Sequence, residues 1–552
     1  MIESPKTQGS EAGRVLLQTA QVVKEKKGNG DMDFADHLWT AANKLRGSVE
    51  AAEYKHIVLG LLFLKYISDA FENRRKWLTE AIKDPSNDEY YVTNATSADV
   101  ERVVNDRDEY LSANVFYVPP HARWAYLMAN AMQPNLGKLI DDGMVAIEKE
   151  NPRQLRSVLP KIYARATIPS ETLGELINLL SQIDFGGKEA VAQDKLGRTY
   201  EYFIKMFAKA EGHRGGEFYT PNSVVRLIVE MLEPYQGRIY DPACGSGGMF
   251  VQSHKFVQAH EGNPQGISIY GEESNEATWR ICKMNLAARG IPNENILLGN
   301  TFTNDLHKDL RADFIMANPP FNMKEWGGDK VVGDARLKFG QPPGSNANYM
   351  WIQHFIHHLA PNGRTGFVMS NGSLSVGGSE GEIRKKIIEA DLVDCIVACP
   401  GQLFFTTMIP CCLWFISRNK NEQTRGLRDR RGEALFIDAR QLFNKISRVQ
   451  IEFGEEHIKR IANTYHAWRG EKTAGKYEDV AGFCKSVTLE EVRAHNCVLT
   501  SGRYVGAEEV EEEEEPFDQK LVKLTANLET QFSEARRLEQ LIRQNLRGLK
   551  HD

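Results

Sequence analysis

The sequence contains no long apolar run. Across 552 residues, 41% hydrophobic and 26% charged, nothing approaches the roughly 18 consecutive apolar residues that a membrane-crossing helix needs. A membrane segment is therefore not expected. The opening residues, MIESPKTQGSEAGRVLLQ, lack the cationic start and unbroken apolar stretch of a secretory signal, which makes the cytoplasm the expected compartment. Cysteine is scarce, with eight in all. None is spaced as CxxC, and Cys395, Cys399, Cys411 and Cys412 lie in apolar, strand-like runs, so they read as buried thiols and no metal is called for. A surplus of positive charge is also missing. The formal net charge is −6, whereas a chain that grips a polyanion by itself usually shows excess Lys and Arg. Either charge is segregated or a partner supplies the grip. The stretch from Arg418 to Arg431, with Lys420, Arg425, Arg428 and Arg430, is a local basic cluster, and Glu511 to Glu515 reads as a solvated acidic linker.

The length exceeds what one ordinary core fills, so several domains are expected. Residues 1–32 are polar and read as a flexible tail. From Asp33 apolar residues recur at helical spacing, as in Leu38, Ala41, Ala42 and Leu45, then Ile57, Leu61, Leu64 and Ile67. This predicts an all-α domain over 33–180, with helices near Ala122–Met132 and Thr172–Ile183. Beyond residue 220 strands alternate with helices: Arg238–Asp241, Ile267–Glu273, Asp313–Ala317, Thr365–Ser370 and Val393–Ala398, with helical segments at Ala277–Arg289 and Tyr349–Leu359. That alternation predicts a mainly parallel sheet covered on both faces, within a catalytic domain over 181–485. Late strands are expected at Cys412–Ser417 and Leu435–Asp438. Residues 486–552 are expected to form a C-terminal tail whose Leu521, Leu524, Leu528, Phe532, Ala535, Leu538, Ile542 and Leu549 draw an apolar stripe on one long helix, which calls for its own domain or a partner helix to cover it.

Two constellations carry chemistry. In the first, Asp241-Pro242-Ala243-Cys244-Gly245-Ser246-Gly247-Gly248 joins a strand to a helix. Its glycines admit a ligand close to the backbone, and the helix start offers amides. About 25 residues on, Gly271-Glu272-Glu273 ends the next strand, where a carboxylate can accept both hydroxyls of a ribose. The Lys-Ser or Lys-Thr pair of a phosphate-binding loop is absent, so a nucleoside-like ligand is expected. Cys244 reads as a small loop residue. In the second, Asn318-Pro319-Pro320-Phe321 follows the fourth strand. An exocyclic amine is a poor nucleophile because its lone pair is delocalised into the ring. The side-chain carbonyl of Asn318 and the backbone carbonyl of Pro319 can accept its two N–H bonds and free the lone pair, while Pro320 stiffens the loop and Phe321 offers a face for a planar group.

With these residues the sequence resembles the amino-group methyltransferases that use S-adenosylmethionine. The resemblance implies a Rossmann-like, seven-stranded α/β sheet, preceded here by the helical domain and followed by the tail. Upstream, Glu217-Phe218-Tyr219-Thr220-Pro221 is similar to the motif that precedes the cofactor loop in the adenine-N6 class. Its position implies adenine, with Phe218, Tyr219 and Thr220 near the methionine end of the cofactor. Asp241, Ala243, Gly245, Ser246, Gly247 and Gly248 would hold the methionine moiety and Glu273 the ribose. Asn300, in Gly299-Asn300-Thr301, stands where many relatives carry an Asp that takes the cofactor's adenine. Asn346–Tyr349 and Gly363–Gly372 are further matches, while Phe405 to Ile409 is only a guess for the region over the target base.

The run from Leu38-Trp39 to Ile67-Ser68, the stretch Gly271–Gly290 and the motif Ser501-Gly502-Arg503-Tyr504-Val505 resemble, more narrowly, the methyltransferase subunits of type I restriction-modification systems. This implies methylation of adenine N6 in double-stranded DNA by base flipping, at a site chosen by a separate specificity subunit. A second copy of the chain would take part, and a motor-nuclease restriction subunit would join the assembly. Three alternatives stand beside it: the same chemistry on a protein or RNA amide or amine, a self-sufficient DNA methyltransferase with built-in recognition, and a non-catalytic scaffold.

Overall fold

The computed structural model describes residues 51–165, 168–183, 185, 189–211, 220–404, 409–448, 450–506 and 517–548. The expected tail over 1–32, the first helical residues from Asp33, and Phe218 and Tyr219 lie outside them. The chain divides into two compact units, Met1–Val505 and Gly506–Asp552.

In the first unit, a 31-residue helix, Ala51–Ala81, runs through an all-helical layer. Ile57, Leu61, Leu64 and Ile67 are fully buried, so the spacing seen in the sequence is a core-facing stripe. The layer closes tightly around it: Tyr163 Oη donates to the Ile57 carbonyl at 2.9 Å, a contact made possible by the missing side chain of Gly60, where a Cβ would meet Tyr163 Oη at 2.5 Å. The helix expected at Ala122–Met132 is shorter. A 3-10 turn at Pro120–Ala122 precedes a helix limited to Trp124–Ala129, because Pro119 and Pro120 impose their own backbone angles. The helix Ser170–Leu180 matches most of the expected Thr172–Ile183 but ends three residues earlier.

The remainder of this unit is built on one sheet of nine strands in the order β11-β8-β6-β7-β5-β4-β1-β2-β3. These are β1 Gly237–Asp241, β2 Ile267–Glu273, β3 Ile296–Leu298, β4 Ala312–Ala317, β5 Leu359–Ser370, β6 Val393–Ala398, β7 Cys411–Ser417, β8 Glu433–Asp438 and β11 Cys484–Thr488, with a separate small pair, β9 Asn444–Lys445 and β10 Ile451–Glu452. Parallel pairing links β1, β2, β3, β4 and β5, while β7 is antiparallel to β5 and β6. Seven strands therefore match the expected Rossmann-like core, and the count of nine corrects the expectation. The two additional strands extend the edge beyond β6, where β8 pairs in parallel and β11 then pairs antiparallel to β8. Strands in the middle of such a sheet are buried on both faces and read as continuous apolar runs; all seven residues of β7 are buried. All eight cysteines are buried and unpaired.

Part of the basic cluster is turned inward: Lys420 and Arg430 are buried, whereas the side chains of Arg428 and Arg431 are 39% and 64% exposed. Arg430 pairs with Asp394 at 3.3 Å and Glu422 at 2.9 Å, and Lys420 with Asp391 at 2.6 Å, while Arg428 pairs with Glu433 at 2.9 Å. Buried charges persist only when paired, and here each finds a carboxylate. The Asp394 carboxyl is additionally met by Tyr465 Oη at 2.6 Å.

The second unit contains the helix Phe517–Gly548. Leu524 and Phe532 are 58% and 57% exposed on it.

Candidate active site

Because β1 and β4 are parallel neighbours, the loops that follow them open on the same edge of the sheet, and ligands in open α/β sheets bind there. The loop after β1 turns through Gly245 and Gly247, with φ of 53° and 81°, angles that other residues adopt only at a cost. A Cβ on Gly247 would meet Cys282 Sγ at 2.9 Å, whereas one on Gly245 would meet nothing within 4 Å. Gly247 thus serves close packing against the helix Glu276–Ala287, and Gly245 faces open space.

Carboxylates organise the loop. Asp241 is buried and accepts the Ala243 N–H at 3.0 Å. Burial, reinforced by the charge of Glu273, pushes its pKa up to about 8. Glu273, at the end of β2, accepts the Gly245 N–H at 3.1 Å and the Asn275 N–H at 2.8 Å, one at each oxygen. Two clefts flank the loop and share Ala243, Gly245 and Asn318. The larger, of about 320 Å³, is also lined by Glu273, Asn300, Phe302, Pro320 and Trp351. The smaller, of about 80 Å³, is lined by Thr220, Asp241, Ser246, Gly248, Asn285 and Glu201 among others. Gly247, Pro319 and Phe321 line neither.

Asn318 sits between the two. Its Nδ2 donates to Thr220 Oγ1 at 2.9 Å, and its Oδ1 is buried with no partner among the described residues. A buried polar atom left unpaired is costly and asks for a ligand. The tetrapeptide is held from its far end: Asn322, in the left-handed region at φ 55°, exchanges two hydrogen bonds of 2.9 Å with Asn348, the first residue of the helix Asn348–His358.

Several contributors were not evident in the sequence. Trp351 stands four residues beyond Ala347, in the helix that the Asn346–Tyr349 match begins, and its ring lies 4.2 Å from that of Phe302. Glu201 comes from the helix Glu189–Glu211. Its carboxylate accepts from Arg289 at 3.0 Å, and Arg289 also donates to the Gly197 carbonyl at 2.7 Å. Asn285, hydrogen-bonded to Arg289, donates to the Ser246 carbonyl at 2.7 Å. The cofactor-loop backbone is thereby tied to that helix.

Beneath the larger cleft runs a buried chain of donors. Arg336 donates to His354 Nδ1 at 3.2 Å, His354 Nε2 lies 3.0 Å from Tyr240 Oη, and Tyr240 donates to Glu272 at 2.8 Å. Burial holds His354 well below its usual pKa, so the ring is neutral with its proton on Nε2. Asp305, His354 and His358 bring possible ligand atoms within 4.8 Å of one another. The Arg336 guanidinium, 4.0 Å from Asp305, already supplies the positive charge that a metal would bring.

The family profile described as N-6 DNA Methylase matches residues 191–513, more than half of the chain, and the profile described as HsdM N-terminal domain matches residues 34–180. The chain belongs to the N-6 DNA methylase family. It is 47% identical to the methylase subunit of the type I restriction enzyme HindI of Haemophilus influenzae, over 79% of this chain and 100% of that protein. It is 40% identical to the MjaIX methylase subunit of Methanocaldococcus jannaschii, over 94% of this chain and 91% of that one. A solved type I restriction-modification methyltransferase subunit from Streptococcus thermophilus matches the structure with a TM-score of 0.68 at 25% identity, covering 86% of this chain and 100% of that one. Membership places the chain among the type I methylase subunits and implies S-adenosylmethionine as methyl donor. No described helix is long and apolar enough to cross a membrane.

Proposed function

We propose that the chain is the modification subunit of a type I restriction-modification complex and methylates adenine N6 in DNA at a sequence chosen by a separate specificity subunit. The observation that carries the site assignment is the orphaned Asn318 Oδ1, a buried acceptor held between two clefts with no donor to it among the described residues. The residues fit the cofactor. The larger cleft, with the Glu273 carboxylate and the Trp351–Phe302 wall, suits a nucleoside. The smaller, with the Asp241 carboxyl, suits the charged amino-acid end.

When bound, S-adenosylmethionine supplies an electrophilic methyl group on sulfur. The target adenine cannot reach it while stacked and must leave the duplex, at a cost of a few kcal/mol. Asn318 Oδ1 and the Pro319 carbonyl would then accept the two N6–H bonds and direct the lone pair at the methyl carbon. Transfer of that methyl from sulfur to N6 would leave a surplus N6 proton, which would pass to water. Phe321 would stack on the extruded base. Thr220 fixes the Asn318 amide. Phe218, Tyr219, Ser246 and Gly248 would complete the methionine side.

Partners follow from the family and the tail: a specificity subunit, a second copy of the chain, and a motor-nuclease subunit for restriction. Lys420 and Arg430 of the basic cluster are buried in ion pairs, which supports recruitment of DNA by an assembly over capture by this chain alone. The test is to incubate radiolabelled S-adenosylmethionine and DNA with the chain, with and without its specificity subunit, alongside Asn318→Ala. Labelled N6-methyladenine that requires the partner and disappears in the variant is expected; label on protein or RNA, or activity indifferent to Asn318, overturns the proposal.

A further inference from the structure

Asn300 lines the larger cleft, one strand over from Glu273. β2 and β3 are parallel neighbours, and the Gly299 N–H donates to the Glu273 carbonyl at 2.9 Å. A nucleoside whose ribose is held by Glu273 would therefore bring its base to Asn300. The side chain of Asn300 is already half committed. Its Oδ1 accepts the backbone N–H of Phe302 at 3.0 Å and of Thr303 at 3.2 Å. A carbonyl oxygen offers two lone pairs, and only an oxygen accepts from two N–H donors, so these contacts also fix which end of the amide is which. The acceptor is saturated. What remains is Nδ2, a donor, with no partner among the described residues.

The turn cannot easily rearrange to release Oδ1. Arg336 donates to the Thr301 carbonyl at 2.7 Å and to the Phe302 carbonyl at 2.6 Å. Thr301 Oγ1 donates to the Pro242 carbonyl at 2.7 Å. Within the turn Asn300–Thr303, the Asn300 side chain is thus held by the Phe302 and Thr303 amides, and Thr301 and Phe302 are held from outside the turn by Arg336 and Pro242.

Resting on the cofactor site proposed above, we infer that Asn300 reads the cofactor's base as a donor only. It pairs with a ring-edge acceptor such as adenine N1 and makes no contact that accepts from the 6-amino group. An aspartate in the same turn would behave differently. One carboxylate oxygen would cap the two backbone amides, and the other would accept from the 6-amino group. This chain's pocket consequently does not select for that amine, and it tolerates a base with an acceptor at position 6.

The probes are S-adenosylhomocysteine and S-inosylhomocysteine, in which the 6-amino group is replaced by a carbonyl oxygen. Their dissociation constants are measured by calorimetry on the full chain. Wild type is expected to bind both within about threefold, since Nδ2–H can meet either adenine N1 or the inosine oxygen. Asn300→Asp keeps the cap, so the turn is retained, and is expected to favour the adenosyl compound by about tenfold or more relative to wild type. Asn300→Ala removes the pairing and weakens both compounds together. If wild type already rejects the inosyl compound by more than about thirtyfold, or if Asn300→Asp leaves the ratio unchanged while altering only the melting temperature, the inference is overturned and the cofactor site stands. Failure of wild type to bind either compound overturns both.

Discussion

Asn318 spends its donor on Thr220 and keeps its acceptor. Nδ2 reaches Thr220 Oγ1 at 2.9 Å, and Oδ1 is buried without a partner among the described residues. The pairing spans 98 positions of sequence and joins the tetrapeptide Asn318–Phe321 to the start of the helix Asn222–Leu232. Orientation of the acceptor is therefore set by a residue outside the tetrapeptide.

Thr220→Val keeps the shape and removes the hydroxyl. The amide then loses the bond that sets its plane, worth about 1–2 kcal/mol. Expected is a fall in kcat of about 5- to 30-fold, with the dissociation constant for S-adenosylhomocysteine within about threefold of wild type. A variant that loses cofactor binding and keeps kcat would assign Thr220 to the methionine pocket instead.

How much of this was legible in the sequence depends on whether the cause was local. β2 and β6 have the bounds read from the sequence, Ile267–Glu273 and Val393–Ala398, because each is a short strand-like segment closed by a turn, β6 mostly apolar and β2 carrying Ile267, Ile269 and Tyr270 ahead of its acidic end. β11 was missed: Cys484–Thr488 carries Lys485 and Ser486 in an edge position, where no double-sided burial enforces an apolar run. The charge cluster misled for a deeper reason. Lys420 and Arg430 look like a patch in sequence, but their partners Asp391 and Asp394 sit 29 and 36 positions away. The tetrapeptide and the glycine loop could be singled out because their chemistry is contiguous. Trp351 and Glu201 reach the clefts, and Arg336 the carbonyls of Thr301 and Phe302, only through packing, and no local spacing announces them. The saturation of Asn300 belongs to the same class, since residue type alone leaves both ends of the amide available.

Asp241 should make cofactor binding depend on pH. Burial raises its pKa to about 8, so near pH 6.5 the ligand-free chain holds the carboxyl protonated. A raised carboxyl favours the folded state below the unfolded value near 4 and loses that contribution as pH rises through about 8. An ammonium placed beside it reverses the preference and drives off the proton. Calorimetry with S-adenosylhomocysteine at pH 6.5, in buffers of different ionisation enthalpy, should report release of up to about one proton per ligand, and affinity should rise from pH 6 to 7.5. Heats independent of buffer would remove Asp241 from the methionine end. Asp241→Asn should raise the melting temperature of the free chain at pH 8 and weaken the ligand by more than about tenfold.

Arg336 acts through other residues. Its guanidinium holds the carbonyls of Thr301 and Phe302 at 2.7 and 2.6 Å, and it pairs with Asp334 at 2.8 Å. A lysine cannot span these contacts, because it lacks the planar fork. Arg336→Lys is expected to raise the dissociation constant for S-adenosylhomocysteine about tenfold while saturating kcat stays within about threefold, and to enlarge the change in tryptophan emission on binding as Trp351 and Phe302 become mobile. Equal losses in kcat and affinity would point to general damage to the fold.

The tail helix offers a test of assembly that leaves the chemistry untouched. On Phe517–Gly548, Leu521, Leu524, Leu528, Phe532, Leu538 and Ile542 are all exposed, and their spacing of three, four or six residues places them along one face. An apolar face of this length is stable in water only when covered, and the specificity subunit is the expected cover. Leu524→Glu combined with Phe532→Glu should abolish co-purification with that subunit and with it DNA methylation. The first compact unit ends at Val505, so cofactor affinity and the main melting transition should be unchanged. Retained co-purification would move the subunit contact elsewhere, and a parallel loss of cofactor binding would show that the helix serves its own catalytic unit.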